Sequence, residues 1–257
     1  FVLRFAVDHE ASGLGWIDRQ LRTVLTVVTE MGWGPPLFFV MSGYCVASSL
    51  QSLQRKGQPP WRFLAKRMWR TFPPYWASIL VFAALVMLLD IVGFSRAYQS
   101  GVSLELFQPN QLTTSQWLGN LTLTETWRPL VTHSGDSLVF TRVAWSLCYQ
   151  EQFYLACFLL LLLNPKKLHI SLAWFSAAVI GYRVFRWDSG GMDSITGALP
   201  YFWHEFAVGL LVFRRLNHVG TAGERRILEA CLLALALVGG YCAFTSTLVA
   251  AGFGLLM

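Results

Sequence analysis

RFLAKRMWRTFPPYW, residues Arg62 to Trp76, leads directly into the apolar run Tyr75–Phe94. Four of the chain's 20 Lys and Arg residues lie in this stretch: Arg62, Lys66, Arg67 and Arg70. A basic segment abutting about 20 apolar residues marks the border of a membrane span. A helix over Phe63–Thr71 puts Arg67 and Arg70 three residues apart on one face. Pro73 and Pro74 are expected to break that helix before the span begins. Two guanidiniums side by side suit a multiply charged anion, and phosphate fits their planar donor fork. The same pair also fits a plain anchor touching lipid phosphates.

The rest of the chain extends this reading. Hydrophobic residues make up 54% and charged residues 13%, against about 25% charged in a soluble domain. Mean hydropathy is +0.47. Apolar runs fall at Trp33–Leu50, Tyr75–Phe94, Ala144–Leu163, Leu168–Phe185, Thr196–Phe213 and Ile227–Thr245, and another begins near Thr247. The first of these, opened by Gly and Pro, reads as a span or a broken, re-entrant helix. With the tail of an earlier span in residues 1–30, the fold is expected to be an all-α polytopic bundle of about seven spans. A soluble enzyme with a large core is excluded. The chain has no initiator Met and stops inside an apolar run, so residues 1–257 are expected to be one membrane domain truncated at both ends.

The net charge of +6 and pI of about 9.2 come from the loops, and no nucleic-acid partner is read from them. Segment 51–72 holds six cations, turn 164–167 two and loop 214–226 four. The intervening connections hold five: Arg96, Arg128, Arg142, Arg183 and Arg186. The imbalance assigns the first three loops to the cytoplasm and residues 1–30, 95–143 and 186–195 to the other side. Cys45, Cys148, Cys157, Cys231 and Cys242 show neither metal spacing nor a disulfide framework, and are expected to pack as small apolar residues.

Few polar groups interrupt the spans. Gln150, Glu151 and Gln152 lie together within Ala144–Leu163, and an intramembrane carboxylate points to a functional site. Near an outer interface it would instead bond to its helix neighbours. His204 and Glu205 are adjacent, so on a helix they point apart and form no ready acid–base pair; His204 is as well suited to a bond within the bundle. Asp8 and His9 fit a carboxylate-oriented general base, or a solvated loop. His133 lies in THSGDS, whose Gly-Asp-Ser triplet is a weak nucleophile signal. His169 and His218 fall in or near turns and read as surface residues. Asn120-Leu121-Thr122 is a glycosylation sequon on the outer side, meaningful only in a eukaryote.

Three of these stretches together resemble the acyltransferase 3 family, integral-membrane enzymes that O-acylate surface sugars. FFVMSGY (Phe38–Tyr44) is similar to the family's Phe-Phe-x-x-Ser-Gly-Phe block. KRMWRTFPPYW (Lys66–Trp76) is similar to its Arg-x-x-Arg block ending in Pro-x-Tyr. WSLCYQEQFYL (Trp145–Leu155) is similar to its Trp-Ser-Leu-x-x-Glu-x-x-Phe-Tyr block, and Phe206–Gly209 to a weaker Phe-x-x-Gly block. The resemblance covers most of Trp33–Phe213 and implies a bundle of about ten helices in the whole protein.

The resemblance further implies transfer of an acyl group from cytoplasmic acyl-CoA to a hydroxyl of an extracytoplasmic acceptor. The acceptor class is a surface or exported carbohydrate, O-acetylation of a polysaccharide included, and the site is the bacterial inner membrane. Acyl-CoA enters as a substrate, with no bound cofactor and no metal. Arg67 and Arg70 match the donor-binding pair. The family's catalytic His lies on its first span with an Arg about three turns earlier; Arg4 is too close to His9 for that pattern, so the base is His9 or a His preceding Phe1. The family's Glu position is occupied by Gln150, and Glu151 stands one residue on, about 100° around the helix. Glu151 and Gln150 would orient the His or bond the acceptor. Ser42, Tyr44, Tyr75, Trp145, Ser146, Tyr154 and His204 would line the cavity. A transporter or lipid-handling protein without acyl transfer, or an inactive family member, would use the same polar residues differently.

Overall fold

The computed structural model describes residues 34–91, 109–133, 137–141, 144–218 and 221–241. Among them are eight α-helices and no strand: α1 (Gly34–Arg55), α2 (Trp61–Ile91), α3 (Thr114–Leu121), α4 (Arg128–Thr132), α5 (Ala144–Leu163), α6 (Leu168–Asp188), α7 (Trp203–His218) and α8 (Ala222–Tyr241). Among the described residues four segments are long and apolar enough to cross a membrane: Gly34–Arg55, Trp61–Ile91, Ala144–Leu163 and Pro165–Asp188. Large apolar side chains of α2, among them Leu80, Val81, Leu88 and Ile91, point outward. That pattern is unfavourable in water and expected where lipid is the solvent.

The basic segment is not the loop expected over residues 51–72. α1 continues to Arg55, and only a short turn separates it from α2. Its opening Pro35 and Pro36 sit in the first turn, where the missing N–H groups have no intrahelical acceptor, so the helix starts there unbroken. At its end Gly57 adopts φ +58°. Gly57 N–H bonds Gln54 O and Gln58 N–H bonds Leu53 O, both at 3.1 Å, which satisfies the last carbonyls in a Schellman turn.

Nor do Pro73 and Pro74 end the second helix. α2 runs through both for 31 residues, about 46 Å at 1.5 Å per residue. Each proline removes one helical N–H, leaving the Trp69 and Arg70 carbonyls without that partner, but its fixed φ remains compatible with the helix. The basic half and the apolar half are therefore one element. Its buried stripe is Phe63, Arg67, Tyr75, Ile79 and Val86.

The later spans also differ from expectation. Residues 196–202 form turns and a short 3-10 segment, and α7 starts only at Trp203. Its 16 residues reach about 24 Å, less than a bilayer's hydrocarbon thickness of about 30 Å. α8 begins at Ala222 and carries Glu224, Arg225, Arg226 and Glu229 in its first turns. The run near Thr247 lies outside the described residues.

The chain divides into two compact units, Phe1–Tyr44 with Glu205–Met257, and Cys45–His204. In the second, α5 packs against α2 and α6. Gln54 Nε2 donates to Pro165 O at 2.7 Å, so the end of α1 and the α5–α6 turn share one pole. The described residues of 109–141 pack against α2 and α5. A capping box of Thr113 and Gln116 starts α3. Leu112, Leu123 and Phe140 pack there against Tyr75, Ile79, Ala144 and Cys148.

Asn120 organises that outer segment. Its Nδ2 donates to Gln116 O and Leu138 O, and its Oδ1 accepts from Phe140 N, all at 2.8 Å. Its backbone carbonyl accepts from Tyr75 Oη at 2.8 Å. The sequon reading of Asn120 therefore fails: both amide protons are committed and the side chain is buried. Beside it, fully buried Glu125 accepts from Arg128 Nε and Nη2 and from Leu138 N. That carboxylate holds the Arg128 guanidinium above its ordinary value.

The first unit is built on a backbone crossing. A Cβ on Gly43 would overlap the Phe206 carbonyl oxygen, and one on Gly209 would overlap the Val40 carbonyl oxygen. Phe39 stacks on Phe206 at 4.9 Å, and Tyr44 meets Phe213 edge-on at 5.2 Å. The Phe38–Tyr44 and Phe206–Gly209 blocks are thus two sides of one close helix contact.

Candidate functional site

Arg67 projects from the buried stripe of α2 and is 8% exposed, while Arg70, one turn on, is exposed. Arg67 Nη2 donates to Cys45 O at 2.8 Å and to Ser49 Oγ at 2.5 Å. Ser49 Oγ itself donates to Cys45 O at 2.8 Å. The guanidinium carbon lies 5.3 Å from the Tyr154 ring centre and 5.9 Å from that of Phe63. Those two rings meet edge-on at 6.3 Å. Among the described residues no carboxylate pairs with Arg67. A buried cation is ordinarily paired; this one has a carbonyl, a hydroxyl and two aromatic faces.

One turn from Tyr154 along α5 stands Glu151. The residue is half-buried, but its Oε2 is fully enclosed and has no hydrogen-bond partner among the described residues. Gln150 is buried, and Gln152 Nε2 donates to Cys148 O and Gly197 O. The three neighbours thus have different settings: Gln152 is tied to the turn at Gly197, Gln150 is buried, and Glu151 holds a buried oxygen without a hydrogen-bond partner among the described residues. Two contacts bracket Glu151: Arg67 against the Tyr154 ring on one side and Tyr75 Oη on the Asn120 carbonyl on the other.

His204 is buried in the same unit, against Arg183. Arg183 Nη1 touches both ring nitrogens, with Nε2 at 2.9 Å, and its guanidinium sits 5.3 Å from the Tyr201 ring centre. Arg183 is a buried helix residue of α6 and not part of the outer connection in which its charge was counted. Nothing in the spacing of Arg183 and His204 revealed this pairing; a charged residue within an apolar run was the available signal.

Trp145 packs on Phe202 at 5.5 Å and on Tyr149 at 6.1 Å, at the outer end of α5. Ser146 is half-buried. Ser42 is buried and Tyr44 half-buried in the other unit, where Asn217 Nδ2 approaches Tyr44 Oη at 3.5 Å. His133 caps α4 with φ 50° and is exposed, while Ser137 of the Gly-Asp-Ser triplet donates to Glu125 O at 3.1 Å. Among the described residues no nucleophile–base pair forms there. His9 lies outside the described residues. Among the described residues no group of three His, Cys, Asp or Glu is placed to hold a metal ion.

Residues 10–255 match the model of a protein family described as an acyltransferase domain. A Komagataeibacter xylinus protein named as a membrane-bound transacylase, BcsY, is 27% identical over 207 residues. The alignment covers 76% of this chain and 49% of that protein, so the chain spans about half the length of the curated relative it matches. No solved structure is a significant match.

Proposed function

The chain belongs to the acyltransferase 3 family, and from that premise we propose that the whole protein moves an acyl group from acyl-CoA to a hydroxyl of a carbohydrate acceptor. The membrane is the bacterial inner membrane in this reading, with donor and acceptor on opposite faces. The carrying observation is Arg67: a buried cation, lacking a carboxylate partner among the described residues, at the pole that holds the basic turns. Coenzyme A has a pyrophosphate and a further phosphate, for which Arg67 and exposed Arg70 supply adjacent donor forks.

In the reaction, a histidine base takes the proton of the acceptor hydroxyl, and the oxygen attacks the thioester carbonyl. The C–S bond then breaks, and the departing sulfur leaves protonated as free CoA. His9, or a histidine preceding Phe1, fills the role of base. Glu151 replaces the family's carboxylate from one position along: its enclosed oxygen is available to orient that base or to accept from the acceptor hydroxyl.

The test is CoA release from acetyl-CoA by membranes carrying the full-length protein, with and without a hydroxyl-rich acceptor extract. Acceptor-dependent release that disappears in Arg67→Ala/Arg70→Ala is expected. Acyl-CoA affinity unchanged in that variant would remove the donor assignment. Consumption of no thioester by correctly inserted protein would favour a transport role.

A further inference from the structure

From Gly34 to Leu89 the sequence contains no Asp or Glu, yet it contains six Lys and Arg residues. Arg67 alone among them is buried; Arg55, Lys56, Arg62, Lys66 and Arg70 are exposed. Arg62, Lys66 and Arg70 recur every four residues, so they share one face of α2, away from the Phe63–Arg67 stripe. The Gln54–Pro165 bond brings a second basic element to the same pole, the turn with exposed Lys166 and Lys167. None of these exposed cations has a carboxylate partner among the described residues.

Two further observations say what faces this surface. α2 is about 46 Å long, which exceeds the hydrocarbon thickness of about 30 Å by about ten residues. The excess corresponds to Trp61–Arg70, which therefore runs through the headgroup layer. Trp61 and Trp69 in this stretch are 60% and 81% exposed. Exposed tryptophans interleaved with cations are the pattern of a membrane–water interface.

We propose that this pole is a binding surface for anionic phospholipid headgroups, in which Arg62, Lys66 and the Lys166–Lys167 turn hold lipid phosphates and the two tryptophans set the depth. Charge complementarity selects anionic over zwitterionic lipid. Arg67, one helix face away, takes no part. The surface belongs to the bilayer and not to the donor, so it does not depend on the acyltransferase reading.

The experiment uses the full-length protein in nanodiscs of equimolar phosphatidylglycerol and phosphatidylcholine, released and weighed with its retained lipid by native mass spectrometry. The wild type is expected to retain phosphatidylglycerol preferentially. Arg62→Gln/Lys66→Gln/Lys166→Gln/Lys167→Gln is expected to reduce that preference at least about tenfold, since each cation near the surface contributes about fivefold. Its melting temperature should be unchanged, because all four side chains are exposed. Absence of preference in the wild type, or an equal preference in the variant, would overturn the proposal. So would a variant that keeps the lipid preference but loses acyl-CoA affinity in phosphatidylcholine alone, because the patch would then be the mouth of the donor site.

Discussion

Arg67 donates to Ser49 Oγ at 2.5 Å, and Ser49 Oγ in turn donates to the Cys45 carbonyl at 2.8 Å. The serine thus orients the guanidinium and keeps the carbonyl satisfied if the arginine is removed. Arg67→Met should leave thermal stability unchanged or higher, because a lone buried cation is costly and the freed acceptor retains a donor. Acyl-CoA affinity should fall at least about tenfold, the loss of one charge-assisted contact. Calorimetry and unfolding of the same preparation check both. A large stability loss with affinity intact would make Arg67 structural.

Ser49→Ala separates orientation from charge. It should weaken acyl-CoA binding by about threefold to tenfold, as one hydrogen bond of about 1 kcal/mol is lost. Arg67→Lys in the wild-type background should be worse, since an ammonium cannot keep the paired donor geometry. The ranking of the two affinities is the readout.

Glu151→Gln should lower turnover at least about a hundredfold while acyl-CoA binding persists. Stability should hold or rise, because the enclosed Oε2 has no hydrogen-bond partner among the described residues. Gln150→Ala should reduce turnover less. Equal turnover in Glu151→Gln and wild type would assign the carboxylate no chemical part.

Gly43→Ala and Gly209→Ala should each destabilise the protein by about 1–3 kcal/mol, because the new methyl group meets a backbone carbonyl that cannot rotate away. Since both act on one crossing, their effects should not add in the double variant. Thermal unfolding in detergent measures all three.

Asn120→Ala removes three side-chain hydrogen bonds at about 1 kcal/mol each, so about 3 kcal/mol of stability should go. Expressed in a eukaryotic host, the folded wild type should gain no glycan at Asn120. An endoglycosidase shift abolished by Asn120→Gln would contradict the buried amide.

The hydropathy pattern made the helical membrane fold legible, and the clustering of cations located the basic pole. Arg67 and Tyr154 were singled out on sequence, and the fold brings them into contact. What the pattern could not give was direction. Arg67 and Arg70 are three residues apart, yet one is buried and the other exposed, because the inward stripe of α2 is set by Phe63 and Tyr75. Asn120 read as a surface sequon because its partners at Leu138 and Phe140 are distant in sequence. Arg183 was counted with a connection although it lies inside the apolar run Leu168–Phe185, because run boundaries alone do not say which way a side chain points; the fold buries it within α6. Pro73 and Pro74 were given their local meaning as helix breakers, whereas packing of the residues on either side keeps α2 whole.

That uninterrupted passage has a mechanical consequence. Two successive rungs of the α2 hydrogen-bond ladder are missing, at the carbonyls of Trp69 and Arg70. The helix is therefore least stiff between its headgroup portion and its spanning portion. Bending there would swing Arg70 relative to Tyr75 without unwinding either half, so the rod that carries Arg67 and Arg70 has its own flexure built in.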